Sequence, residues 1–140
     1  MDDLITDSRY SWTRLGLTLF VATVINAGMW VIIVIMPAIE AEYGGTRAMA
    51  SLPYTLTMVG FALGNYVIGR AVDHFGITAS LIVAATMTAI GFGLATLSSS
   101  LLVLSFTQFL VGFASAVGFG PLIADISPWF VRRRGIAVAI

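Results

Sequence analysis

The densest chemistry in this chain lies in the turn Gly69-Arg70-Ala71-Val72-Asp73-His74-Phe75-Gly76, set between two uncharged hydrophobic stretches. Its arginine is a permanent cation with a planar fork of donors, its aspartate an acceptor-only carboxylate, and its histidine an imidazole with a nitrogen on either side of the ring. Such a set can make and break ion pairs. A carboxylate beside a helix N-terminus also meets unpaired backbone N–H groups and the positive end of the helix dipole. A loop histidine facing water has no need to carry protons, so His74 is read as a bystander. A second set of residues is neutral. Thr23, Asn26 and Trp30 recur at helical spacing and share one face, and Gln108, Gly112 and Ser115 do the same further along. Amides offer donors and acceptors together, while an indole offers an apolar plate with one N–H. Each polar group costs free energy in hydrocarbon unless it finds a partner or faces water, so Asn26 either meets a polar solute or hydrogen-bonds another helix.

Absent residue types narrow the chemistry further. The chain has no cysteine, which removes disulfides, thiolate metal sites and cysteine nucleophiles together. The single histidine lies in the turn, so no span carries a His/Glu metal pair and no Ser/His/Asp set shares one depth. Neither an enzyme nor a metal or other cofactor is expected. With a net charge of zero and no lysine, nothing in the chain recommends nucleic acid as a partner.

The elements that must position these residues are membrane helices. Hydrophobic residues make up 59% of the chain and charged residues 10%, too few charges to keep so apolar a surface in water. The start, Met1-Asp2-Asp3, is acidic, and the first apolar run is too long for a signal-peptide core, so it reads as a retained helix. Apolar segments of spanning length are expected at 15–38, 48–69, 77–97 and 101–126, with a fifth helix beginning near Gly135. Phe75 to Ala124 carries no charge and is about twice the length needed for one crossing, so it must fold back, and Ser98-Ser99-Ser100 supplies the reversal. Six of the seven arginines (Arg9, Arg14, Arg70 and Arg132 to Arg134) then fall on one side, against Arg47 on the other. By the excess of arginine in cytoplasmic segments, the N-terminus is expected in the cytoplasm. Gly60-x-x-x-Gly64, and Gly112, Ala116 and Gly120 at intervals of four, predict seams where helices pack closely. Pro121, after Gly118-Phe119-Gly120, predicts a bend in the fourth span. Trp12 and Trp129, near span ends, suit interfacial anchoring or ordinary loop positions.

Gly69, Asp73 and Gly76, lying between the second and third spans, resemble the signature loop of the major facilitator superfamily, whose pattern is Gly-x-x-x-Asp-Arg/Lys-x-Gly-Arg-Arg/Lys. The chain departs from that pattern at His74, Ile77 and Thr78, where basic residues are usual, which leaves Arg70 as the loop's only permanent cation. Pro128-Trp129-Phe130-Val131-Arg132-Arg133-Arg134-Gly135-Ile136-Ala137 resembles the loop between helices 4 and 5 of monocarboxylate and oxalate/formate-type carriers of the same superfamily.

The resemblance implies an all-α membrane protein, with four transmembrane helices and the start of a fifth belonging to the six-helix N-terminal bundle of a twelve-helix carrier. It implies secondary transport of a small organic solute, with a monocarboxylate as the candidate, by alternating access. The implied surroundings are the lipid bilayer of the plasma (inner) membrane and the remaining helices of the same transporter. Helices 1 and 4 line the central cavity in this family, so Asn26, Trp30, Gln108, Gly112 and Ser115 become candidate solute contacts. Gly69, Arg70, Asp73, Gly76 and Asp125 become candidate gating residues, with Asp73 latching onto the other bundle and Arg70 pairing with Asp125. Gln108 stands four residues before Gly112, where many members carry arginine, which weakens any expectation of a central anion-binding or proton-coupling charge. The sequence reads as a truncated N-terminal piece, and alone it is expected to give no saturable uptake. The competing expectation is a four-helix membrane subunit or anchor that transports nothing.

Overall fold

The structure is a computed structural model that describes residues 8–131 and 134–139, and every element in it is helical. Arg132 and Arg133, which enter the arginine count above, lie outside the described residues. Helix α1 (Arg9–Val34) begins earlier than the apolar run because Ser8 caps it, accepting a hydrogen bond from the Ser11 backbone N–H at 3.3 Å. Pro37 then interrupts the backbone ladder, and α2 (Met36–Tyr43) continues past it, carrying Glu40 and Glu42 as helical residues. Gly44 and Gly45, with φ of 63° and 116°, end that run, and the single turn α3 (Arg47–Ala50) leads into α4 (Leu52–Ala95). A reversal at Ser98 to Ser100 follows, with the Ser100 hydroxyl capping α5 (Leu101–Ser115) by accepting from the Val103 N–H. After a 3₁₀ turn (Ala116–Gly118) the chain continues as α6 (Gly120–Ile126), a second 3₁₀ turn (Ser127–Trp129) and α7 (Arg134–Ala139).

Among the described residues, three helical stretches are long and apolar enough to cross a membrane: Arg9–Val34, Arg47–Ala95 and Leu101–Trp129. The middle one is 49 residues long and does not run straight. Gly76 has φ 81° and ψ 165°, a backbone conformation open essentially to glycine alone. The contacts show that the chain turns back there. Thr57, Gly60 and Gly64 lie against Gly112, Phe109 and Phe113, while Gly91 lies against Val111 and Thr107. On a straight helix Thr57 and Gly91 would stand ~50 Å apart at ~1.5 Å per residue, so a single short helix could not touch both. Helix α4 is therefore a hairpin whose two arms flank α5.

Helix α5 is the axis of the molecule, with Val111, Ala114 and the following Ala116 and Val117 fully buried. The first arm of α4 packs on it backbone to backbone. A Cβ at Gly60, Gly64 or Gly112 would collide with the carbonyl oxygen of Phe109, Phe113 or Thr57 respectively. The seam stops short of Gly120, which has open space around it, because the 3₁₀ turn has rotated the chain by then. Helix α1 crosses the other side, placing Ile32 with Leu104 at one end and Leu15 with Ile126 and Phe130 at the other. Buried hydroxyls in this core return their hydrogen bonds to their own helix: Thr57 to the Pro53 carbonyl, Ser105 to that of Leu101 and Ser115 to that of Val111. The outer faces are apolar. Phe20, Val34, Leu102 and Phe106 are each more than 60% exposed, the surface a lipid-facing bundle presents.

The two ends of the bundle differ. At one, the Tyr43 hydroxyl donates to the Ser98 carbonyl at 3.1 Å, which joins the Glu40–Arg47 segment to the serine reversal. At the other, Arg14, Ile77, Thr78 and Asp125 line one cleft, which joins the N-terminus, the Gly76 reversal and the end of α6.

Candidate functional site

Two open clefts flank the contact between α1 and α6. The first, about 360 Å³, is lined by Arg14, Thr18, Thr78, Leu122 and Asp125 among others. Across its floor the Arg14 Nη2 donates to the Asp125 Oδ2 at 2.8 Å. The guanidinium also lies over the Trp129 ring, 4.5 Å from its centroid, and Tyr10 packs on that indole at 5.6 Å. Arg14 is thus held by a carboxylate and an aromatic plate that both follow the break after α5. The pair corrects the expected Arg70–Asp125 bond. Arg70 lies 4.7 Å over the ring of Tyr66 on its own helix and donates to the Tyr66 hydroxyl. A tyrosine one helical turn earlier is always within reach, whereas Asp125 is already engaged by α1.

The second cleft, about 410 Å³, opens between α1 and the break and is lined by Thr18, Thr23, Asn26, Gly118, Phe119 and Leu122 among others. Here the neutral set acquires geometry. The Asn26 Nδ2 donates to the Ala22 carbonyl at 2.9 Å and to the Gly118 carbonyl at 3.3 Å. Gly118 is where helical bonding fails: Ala116–Gly118 is a 3₁₀ turn and Phe119 adopts φ −113°, ψ −97°, so an amide reaching across from α1 takes a carbonyl that the helix itself leaves under-used. Asn26 therefore does make the interhelical bond, while its side chain still borders the open cleft. Pro121 sits in the first turn of α6, which places the break at the bend that Gly118-Phe119-Gly120-Pro121 predicts.

The other expected solute contacts separate. Trp30 is 52% exposed on α1. Gln108, Gly112 and Ser115 are buried within the bundle, Gln108 to 2% exposure, with the Gln108 Oε1 lacking any hydrogen-bond partner. Ser115 Oγ stands 3.3 Å from the Ile25 carbonyl and so faces α1, whereas Gly112 abuts the Thr57 carbonyl of α4, and neither looks into open space. Of the turn residues, Arg70, Asp73 and Gly76 are exposed and Gly69 is half-buried. Trp12 packs edge-on against Phe130 at 5.1 Å, within the end of the bundle. Sequence reasoning missed Arg14 as a site residue. Its signal was a lone arginine one turn inside an apolar helix, a place where a charge needs a partner.

Comparison with protein families matches residues 18–140, the greater part of the chain, to the Major Facilitator Superfamily. Comparison with curated proteins and with solved structures returns no match. The chain belongs to the Major Facilitator Superfamily. It is an integral membrane protein of a transporter family, whose members move solutes without converting them.

Proposed function

From that membership we propose that this chain forms part of the N-terminal six-helix bundle of a twelve-helix carrier that moves a small organic solute, with monocarboxylates as the candidate class, by alternating access. The carboxylate class rests on the resemblance of Pro128 to Ala137 to the helix 4–5 loop of monocarboxylate and oxalate/formate carriers. The arms of α4 act as separate crossings, giving four spans with α7 opening the fifth. The arginine-rich end, with the Gly76 reversal, faces the cytoplasm, and the membrane is the plasma (inner) membrane.

In this reading Asn26 and Trp30 meet the solute, and Gln108, Gly112 and Ser115 form the layer behind them. The observation that carries it is the Asn26 amide, half-buried, tied to the break at Gly118 and bordering an open cleft. A polar group in that position both senses a solute and holds the point where the helix bends. Gly69, Arg70, Asp73 and Gly76 form the cytoplasmic contact that docks on the second bundle, and Asp125 belongs to the same end.

The test is uptake by the carrier reconstituted in liposomes, with a panel of small monocarboxylates and size-matched neutral alcohols. Saturable uptake of a monocarboxylate, with apparent affinity weakened about tenfold by Asn26→Leu, is expected. Uptake of no solute in the panel would favour the anchor or subunit role, and uptake indifferent to Asn26→Leu would remove the site.

A further inference from the structure

We propose that Arg14 is a positioning residue. Helix α1, and not the glycine turn, supplies the cation that holds Asp125, and this ion pair, backed by Trp129, sets how far the cleft beside it stands open. The inference deepens the transport reading, yet the test below reads the cleft directly and its outcome does not depend on which solute is carried.

Three observations converge. The Arg14–Asp125 bond is short, at 2.8 Å, and both side chains are mostly shielded, 30% and 23% exposed. The guanidinium also lies on the Trp129 ring, so Asp125 and Trp129, its two partners outside α1, both belong to the segment after the break. The facing wall of the cleft, Ile77, Thr78 and Leu81, brings no charge, and Arg70 is turned onto Tyr66. Among the described residues Arg14 makes the salt bridge to Asp125.

What gives the pair leverage is the poor packing of α6. This short helix has a cleft on each flank, of about 360 and 410 Å³, and Thr18 and Leu122 border both. Polar ties to α1 hold it at either end, Asn26 to the Gly118 carbonyl at the break and Arg14 to Asp125 at the tip. Where voids replace close packing, a directional bond decides position.

These 140 residues contain no cysteine, so Thr78→Cys in a carrier whose remaining segments are cleared of cysteine places a single thiol on the wall of the cleft. The measurement is its labelling rate with a small maleimide in the full-length carrier, in native membranes. Arg14→Gln and Asp125→Asn are each expected to speed labelling by about fivefold to tenfold, and together no more than either alone. Exchanging the charges, Arg14→Asp with Asp125→Arg, is expected to return the rate towards that of the parent. The proposal is overturned if Arg14→Gln labels at the parental rate, or if the charge exchange labels as fast as Asp125→Asn does. A control thiol from Ser99→Cys, at the opposite end of the bundle, is expected to label alike in all variants. Acceleration there too would mean general loosening, and would equally overturn the specific role of the pair.

Discussion

At the scale of single residues, charge in this chain is placed where it can be answered. Arg14 enters an apolar helix and meets Asp125 and Trp129, while Asp73 stays exposed on the turn, with no ion pair among the described residues. An exposed carboxylate beside a helix reversal is free to dock elsewhere, and by hypothesis its partner is a helix of the second bundle. Asp73→Asn is therefore expected to lower the turnover rate several-fold while the amount of inserted carrier stays constant. Uptake kinetics are compared with the protein recovered in the membrane, and unchanged kinetics would remove the latch. The sequence made Asp73 legible because glycines frame it. It hid the partner of Asp125, since Arg14 lies 111 residues away and no local spacing rule reaches that far. Helical periodicity likewise put Gln108 and Ser115 on one face without saying which neighbours cover it, and at Ser115 that neighbour is α1.

At the scale of elements, small residues decide which helices touch. Gly112 abuts the Thr57 carbonyl with no room for a Cβ, whereas Gly120 has open space around it, although the two belong to one run of small residues at intervals of four. Gly112→Val is expected to destabilise the fold by about 1–3 kcal/mol through overpacking, and Gly120→Ala to change stability by no more than about 0.5 kcal/mol. Unfolding in mixed micelles separates the two, and equal effects would mean that the seam does not hold the α4–α5 contact. The seam was readable from spacing as far as Ala116. Its end was not, because a 3₁₀ turn shifts the angular phase of everything that follows it. The helical membrane class was readable throughout, since uncharged runs of spanning length leave a chain few other ways to satisfy its backbone.

At the scale of the whole molecule, the bundle sorts its reversals to opposite ends. Gly76 lies with Arg14 and Asp125, and Ser98 lies with Tyr43. If each arm of α4 crosses the bilayer, thiols introduced by His74→Cys and Ser99→Cys should react with an impermeant maleimide from opposite sides of sealed vesicles, the first from the cytoplasmic side. Labelling of both from one side would sink the four-span arrangement. The Gly76 reversal also bears on how the chain tolerates changes in its length. Because one non-helical residue joins the arms, there is no slack to absorb an extra one. A residue inserted after Gly76 would turn the second arm by ~100° and advance it ~1.5 Å, carrying Gly91 away from Val111 while Gly60 and Gly64 stay seated. Membrane loops are usually where insertions are harmless. Here a one-residue insertion should lower folded yield more than any single substitution in the turn, whereas an insertion among Ser98 to Ser100 should be tolerated.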